Sequence, residues 1–190
     1  FIPREMCFGV TERAYHDGTI ATRPAEQEVK RLANRIRRSG AHAVSICFLH
    51  AYRSPTNERT VAKALESLGL YLCASHEISP EFREYERAST TTVNAYVGPL
   101  MDAYLGQLEA DRQFRISIMQ SNGGFLSARD ARRHAVRTVL SGPAGGVIGA
   151  QGIARAGGFH KLLGFDMGGT STDVSLIDST PRETTESVID

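Results

Sequence analysis

Residues 164 to 178 read Gly-Phe-Asp-Met-Gly-Gly-Thr-Ser-Thr-Asp-Val-Ser-Leu-Ile-Asp, so two carboxylates, Asp166 and Asp173, bracket a turn rich in glycine and hydroxyl residues. The flanking runs, Lys161 to Phe165 and Val174 to Ile177, are short and β-prone. They predict two strands joined by the glycines in a turn that needs positive φ or close backbone approach. The N–H groups of Gly168, Gly169 and Thr170, unobstructed by side chains, can converge on phosphate oxygens, with Thr170, Ser171 and Thr172 as hydroxyl donors. Carboxylates beside phosphate repel it unless a hard dication lies between. Mg²⁺ suits that position, since it keeps several waters and is held through one or two carboxylates plus phosphate oxygens. The competing reading is an ordinary hairpin whose Gly-Gly-Thr turns the chain and whose aspartates cap it through Asx hydrogen bonds. Neither Gly-x-x-x-x-Gly-Lys-Ser/Thr nor Gly-x-Gly-x-x-Gly occurs, and those loops open a helix whereas these glycines lie between strands.

Two more segments carry candidate chemistry. Ser141-Gly-Pro-Ala-Gly-Gly146 opens a predicted small-residue helix, whose N-terminus could take an anion through Ser141 and Gly142. Glycine inside a helix costs about 1 kcal/mol against alanine, so the alternative is close crossing by another backbone, which the glycine spacing favours. Gln120, Ser121 and Asn122 offer amide and hydroxyl groups at a strand end, suited to substrate or nucleotide recognition and equally to a satisfied polar turn. Arg83, Glu84, Glu86 and Arg87 read as helical surface pairs. Asn94 and Tyr96 could face a cleft. His50 reads as a hydrogen-bonded structural histidine, and the other histidines lack metal-ligand spacing.

These groups must be positioned by the elements between them. An extended pair from Met6 to Ile20 turns at His16-Asp17-Gly18. A helix from Ala25 to Ser39 has apolar positions at helical spacing and Gly40 as its cap. A buried strand (Ala43 to Leu49), a helix (Asn57 to Leu68) and another strand (Leu70 to Ser75) follow. A long helix from Glu81 to Glu109 should be interrupted or bent near Gly98-Pro99. Strands at Phe114 to Met119 and Val136 to Leu140 flank a short helix that Ser127 caps. The alternation predicts an α/β fold, a mostly parallel sheet with flanking helices, and ligand loops at the carboxyl ends of the strands. Such loops include His50-Ala51-Tyr52, Gln120 to Gly124 and Ser141 to Gly146.

Composition excludes several classes. The chain has 190 residues, 41% hydrophobic and 23% charged, an ordinary balance for a globular protein. Its 22 basic and 21 acidic residues give net charge +1, so nothing global calls for nucleic acid or an anionic membrane. Cys7, Cys47 and Cys73 have no C-x-x-C spacing and predict reduced thiols in a cytoplasmic protein. No apolar run approaches the roughly 20 residues of a membrane span, and no signal peptide is visible. The chain begins at Phe1 without Met and stops at Asp190 as a new strand begins, which suggests a portion of something longer.

A strand, a Pro-containing turn, a small-residue helix and then a strand into Asp-x-Gly-Gly-Thr-x-x-Asp resembles the link between lobes in the actin, Hsp70 and sugar-kinase ATPase superfamily. There two ribonuclease-H-like lobes close on ATP and Mg²⁺. The resemblance implies that residues 1–140 are the C-terminal portion of a first actin-like ATPase lobe, 141–158 the interlobe helix, and 159–190 the start of a second lobe. The chain is more closely similar to the hydantoinase A and 5-oxoprolinase family, which includes ATP-dependent ketone carboxylase subunits. The likeness is carried by Ala43-Val-Ser-Ile-Cys-Phe-Leu-His-Ala-Tyr52, the stretch from Glu81 to Pro99, Met119-Gln-Ser-Asn-Gly-Gly124, Ser141 to Gly146 and Asp166 to Asp173.

Family chemistry implies that ATP phosphorylates an amide or enol oxygen. A cyclic amide such as a hydantoin or 5-oxoproline then opens with water, or a ketone is carboxylated. The resemblance implies Asp166 and Asp173 on Mg²⁺ or an activating water, and Gly168, Gly169, Thr170 and Thr172 on phosphate. Ser141 and Gly142 would touch the nucleotide, and Gln120, Ser121 and Asn122 the substrate. A second subunit or domain of the hydantoinase B type is the implied partner. A sugar-kinase-like phosphotransferase and a non-catalytic nucleotide switch are the alternatives. The longer family chains carry a further hairpin of this type near their start, so the 190 residues alone should bind ATP weakly or not at all.

Overall fold

A computed structural model describes residues 2–110 and 116–178. They fall into two compact units, those within Phe1–Gln107 and Arg132–Val136, and those within Leu108–Ala131 and Arg137–Asp190.

The first unit opens with β1 (Arg13–Ala14) and β2 (Ile20–Thr22), an antiparallel pair. The Asp17-Gly18 turn forms as predicted: Gly18 takes φ 92°, and Asp17 Oδ1 accepts the Thr19 N–H at 2.8 Å. In α1 (Glu26–Ser39) the apolar stripe Val29, Leu32 and Ile36 is buried, and Gly40 ends the helix at φ 74°. Next come β3 (Ala43–Ile46), α2 (Thr56–Leu65) and β4 (Tyr71–Ala74), with β3 and β4 parallel in register from Ala43↔Tyr71 to Ile46↔Ala74. Val29, Leu32 and Ile36 pack with Ile46, Val61 and Leu65 as one core cluster.

The chain turns directly from β4 into α3 (Ser75–Ile78) and then α4 (Glu84–Ala110), which is not interrupted at Pro99. Gly98 explains the close packing there, because a Cβ at this position would run into the Tyr71 ring. The Tyr71 hydroxyl in turn donates to the Arg132 carbonyl. Asn94, a candidate to face a cleft, is instead fully buried: Nδ2 donates to the Arg133 carbonyl at 3.0 Å and Oδ1 accepts the Val136 N–H at 2.9 Å. Tyr96 is 85% exposed.

The second unit contains the hairpin of β5 (Ser117–Met119) and β6 (Phe125–Ser127). Phe114 of the predicted strand lies outside the described residues. Ser127 caps α5 (Ala128–Arg133) as predicted, its Oγ accepting the Asp130 N–H at 3.0 Å. The predicted strand Val136 to Leu140 is not one: Ala135–Thr138 is a 3-10 turn, and Leu140 takes φ 62° at the start of the next helix. The run is β-prone, but its backbone is engaged elsewhere, the Val136 N–H by Asn94 and the Arg137 carbonyl by the Ser121 N–H at 2.8 Å. Tertiary bonds override propensity here. The chain then forms α6 (Ser141–Ala156), β7 (Lys161–Met167) and β8 (Thr172–Asp178).

The α/β class holds, but the expected mostly parallel sheet does not. Among the described residues only β3–β4 is parallel; β1–β2, β5–β6 and β7–β8 are antiparallel pairs. The reason lies in the connections. Only β3 and β4 are separated by a helix, whereas the other pairs are joined by short polar, glycine-containing turns that return the chain beside itself.

Candidate functional site

The predicted hairpin forms, with β7 and β8 antiparallel and Asp166 directly opposite Asp173. Alternation puts Leu162, Gly164 and Asp166 on one face with Ile177, Ser175 and Asp173 opposite them. Ile177 on that face is buried, and Asp166 approaches α6: a Cβ added to Gly146 would lie 3.4 Å from Asp166 Oδ2. Both aspartates line a cleft of about 420 Å³ between α6 and the hairpin, together with Pro143, Gly146 and Ser175.

Directly opposed residues of an antiparallel pair hold their Cβ atoms about 4.5–5.5 Å apart, and like charges there destabilise it. Neither Asp166 nor Asp173 has a cationic partner among the described residues. The chemistry of this donor set fits a hard dication that retains water. It does not fit an all-protein cage, since the described residues hold no group of three or more His, Cys, Asp or Glu able to enclose a metal.

The turn differs from its expectation. Neither Gly168 nor Gly169 has positive φ. Gly168 spends its N–H on the Ser171 carbonyl at 2.9 Å, which removes one expected phosphate donor. The N–H groups of Gly169 and Thr170 have no backbone partner among the described residues, and a Cβ at Gly169 would meet nothing within 4 Å. Among the described residues nothing requires glycine at 169.

In α6 no backbone of another element crosses close to a glycine among the described residues; two of the glycines face side chains instead. Gly146 lies under Asp166, and a Cβ on Gly145 would touch the Met119 thioether at 3.9 Å. Gly142 has open space around it, and Pro143 sits in the first turn, where its missing N–H has no intrahelical partner to lose. The Gln120–Gly124 loop is the tight turn of the β5–β6 hairpin. Gln120 N–H donates to the Gly124 carbonyl at 2.8 Å, and Asn122 Oδ1 accepts the Gly124 N–H at 3.0 Å. Asn122 is thereby committed to the turn, while Ser121 is exposed. Gly123, at φ 83°, lies against Ile148 of α6, whose Cδ1 would be 2.5 Å from an added Cβ.

The first unit holds a buried polar network that the sequence did not reveal. Glu58 is fully buried and accepts four bonds, from Phe48 N–H (2.8 Å), Ser75 Oγ (2.6 Å), His76 N–H (3.0 Å) and His76 Nδ1 (2.7 Å). Arg87, expected in a surface pair, is 1% exposed: Nε donates to Ser75 Oγ at 3.1 Å, and the guanidinium also bonds the carbonyls of Glu81 and Phe48 at 2.8 Å each. Arg83 and Glu86 do pair at the surface. Glu58, Ser75 and Arg87 lie on three different helices, so no local spacing links them. The available signal was position, since Phe48 and Ser75 lie within two residues of the ends of the parallel strands. Burial beside this network pushes the Cys47 and Cys73 thiols up to about 11 each.

Comparison with known proteins supplies the family. The Hydantoinase/oxoprolinase model matches residues 87–190, and the Hydantoinase/oxoprolinase N-terminal region model matches residues 1–69. A 5-oxoprolinase of Saccharomyces cerevisiae is 35% identical over 82% of this chain and 12% of its own length. A solved nucleotide-free acetone carboxylase, from work on ATP-dependent acetone carboxylation, superposes with TM-score 0.83 at 31% identity, over 94% of this chain and 26% of that one. The ATP-dependent caprolactamase of Pseudomonas jessenii superposes with TM-score 0.78 at 31% identity, over 92% and 26%. The chain thus spans about a quarter or less of each of these relatives. Matched by family models along most of its length, it belongs to the hydantoinase/oxoprolinase family.

Proposed function

We propose that this chain is part of an ATP-dependent enzyme that activates a carbonyl by phosphorylation and opens a cyclic amide, a hydantoin or 5-oxoproline. The observation that carries this reading is the pair Asp166 and Asp173, opposed across β7–β8 without a cation of their own and lining one cleft with the start of α6. Relatives described as acting with ATP on a lactam and on acetone support it. In the working site Asp166 and Asp173 hold Mg²⁺, which when bound neutralises phosphate charge. The N–H groups of Gly169 and Thr170, with the Thr170 and Thr172 hydroxyls, orient the phosphates, and open space at Gly169 admits them. Gly168 supports the turn through its own bond. Catalysis of this kind asks for positioning and charge neutralisation more than covalent chemistry. Ser141 and Gly142 lie where α6 opens and serve the nucleotide, while Gln120 and Ser121 are better placed than the committed Asn122 for substrate.

The actin-like architecture belongs to the same proposal, with residues 1–140 in a first ribonuclease-H-like lobe, 141–158 as interlobe helix and 159–190 opening a second. The outer face of β7–β8 supports this. Leu163, Phe165, Met167, Val174 and Leu176 are each at least 60% exposed, the composition of strands covered on both faces in a larger sheet. A hydantoinase B type subunit or domain is the proposed partner, and the cytoplasm the proposed location. No helix among the described residues is long and apolar enough to cross a membrane. A second reading, ketone carboxylation, is favoured by the higher TM-score with acetone carboxylase. Phosphate release by the full-length protein with ATP and 5-oxoproline, hydantoin or acetone tests both. Stimulation by a cyclic amide supports the first reading, stimulation by acetone alone the second, and none by any of them refutes both.

A further inference from the structure

A cavity of about 770 Å³ lies within the first unit, lined by residues of α2, β4 and α3 and by Arg133. His76 stands in its wall with the side chain only 6% exposed. The ring is fixed by Glu58, whose Oε2 takes both the His76 N–H and Nδ1. Nε2 is buried without a hydrogen-bond partner, 3.7 Å from Oε1 of Glu77, an exposed residue that lines the same cavity. Arg59 and Lys63 line it from successive turns of α2, and neither they nor Arg133 has an acidic partner among the described residues. Glu66 is a lining residue too, but it makes no ion pair with them. Like charges four residues apart destabilise a helix, so an anion beside Arg59 and Lys63 would relieve a standing repulsion.

Glu58 receives four donors and so acts purely as an acceptor, which places the ring proton of His76 on Nδ1. A neutral imidazole carries one N–H, so Nε2 keeps a lone pair beside the Glu77 carboxylate, a second acceptor. Two acceptors call for a hydroxyl donor, and three unpaired cations call for negative charge. An oxyanion that still bears a hydroxyl meets both demands. Inorganic phosphate keeps at least one O–H at neutral pH, whereas sulfate and carboxylates keep none and would set bare oxygens against both acceptors. A buried polar atom without a partner is itself uncommon in a folded protein and asks for such an explanation. We propose that this cavity binds inorganic phosphate, with a P–OH donating to His76 Nε2 and the charged oxygens facing Arg59, Lys63 and Arg133. Such binding requires nothing of the carbonyl-activating reading above.

The test is calorimetric titration of the full-length protein, free of magnesium, with inorganic phosphate and, at equal ionic strength, with sulfate. Phosphate should bind saturably and about tenfold more tightly than sulfate, because only phosphate offers His76 Nε2 a donor. The double variant Arg59→Gln, Lys63→Gln changes two exposed positions of α2 to a residue that suits a helix, so it should unfold at the parent's temperature. Its phosphate affinity should fall about tenfold. No saturable phosphate binding, equal affinity for sulfate, or undiminished phosphate affinity in the folded variant overturns the proposal. If the double variant does not fold, Arg133→Gln takes its place, the same loss upholding the proposal and retained affinity overturning it.

Discussion

Truncating Glu58 should be among the most damaging single changes in the first unit. Its carboxylate receives four donors in a site closed to solvent, at 2.6 to 3.0 Å. Glu58→Ala leaves the N–H groups of Phe48 and His76, the Ser75 hydroxyl and His76 Nδ1 unserved. Each buried group without a partner costs about 1–3 kcal/mol. The hydroxyl can re-aim, and water can enter the vacated space and serve one or two of the rest. The net expectation is a loss of about 3–5 kcal/mol, as for a broken buried charge pair, because Arg87 is also left without its bridge through Ser75. Glu58→Gln keeps one acceptor oxygen for Phe48 and Ser75 but turns an NH₂ toward the His76 N–H. It should cost about 1–3 kcal/mol. Urea unfolding of the full-length protein, with m-values fitted freely, gives both numbers. A loss below about 1 kcal/mol for Glu58→Ala would show that the network is not a stabilising clamp.

Two further outcomes follow from packing and burial. Gly98→Ala should gain about 1 kcal/mol of helix propensity yet destabilise the protein by about 1–3 kcal/mol net, because the new methyl displaces the Tyr71 ring and its bond to Arg132. In a Tyr71→Ala background the same change should become stabilising, and a persistent penalty there would contradict the contact. Iodoacetamide at pH 8 should label exposed Cys7 quickly while Cys47 and Cys73, raised from 9.0 to about 11 chiefly by burial, stay unlabelled until unfolding. The same shifts have a sign for stability. Well below pH 9 neither state ionises these thiols, but between about pH 9 and 11 the unfolded chain releases protons that the folded one retains. Stability should therefore fall by roughly 2–3 kcal/mol per thiol across that window, and a flat profile in alkaline unfolding would refute it.

What the sequence disclosed follows the range of its signals. Asp17-Gly18 and Gly40 marked a turn and a helix end correctly because those geometries depend on one residue's backbone freedom. The β7–β8 hairpin was legible for the same reason: two alternating apolar runs face each other across a short turn. The Val136 to Leu140 run misled because propensity is silent about Asn94, which takes the Val136 N–H from a helix more than 40 residues away in sequence. Arg87 misled because a charge at i,i+3 from Glu84 looks like a surface pair until the buried Ser75 hydroxyl beside it is known. The candidate site divides in the same way. Local spacing set Asp166 and Asp173 on facing strands, but the engaged Gly168 N–H is a property of three-dimensional surroundings.

The most direct test of the central claim is calorimetric titration of Mg·ATP into the full-length protein and its Asp173→Asn variant, with and without magnesium. The account predicts magnesium-dependent binding by the parent, and at least a tenfold loss of affinity together with the magnesium dependence in a variant that unfolds at the same temperature. Equal affinity and equal magnesium dependence in the two proteins would contradict it.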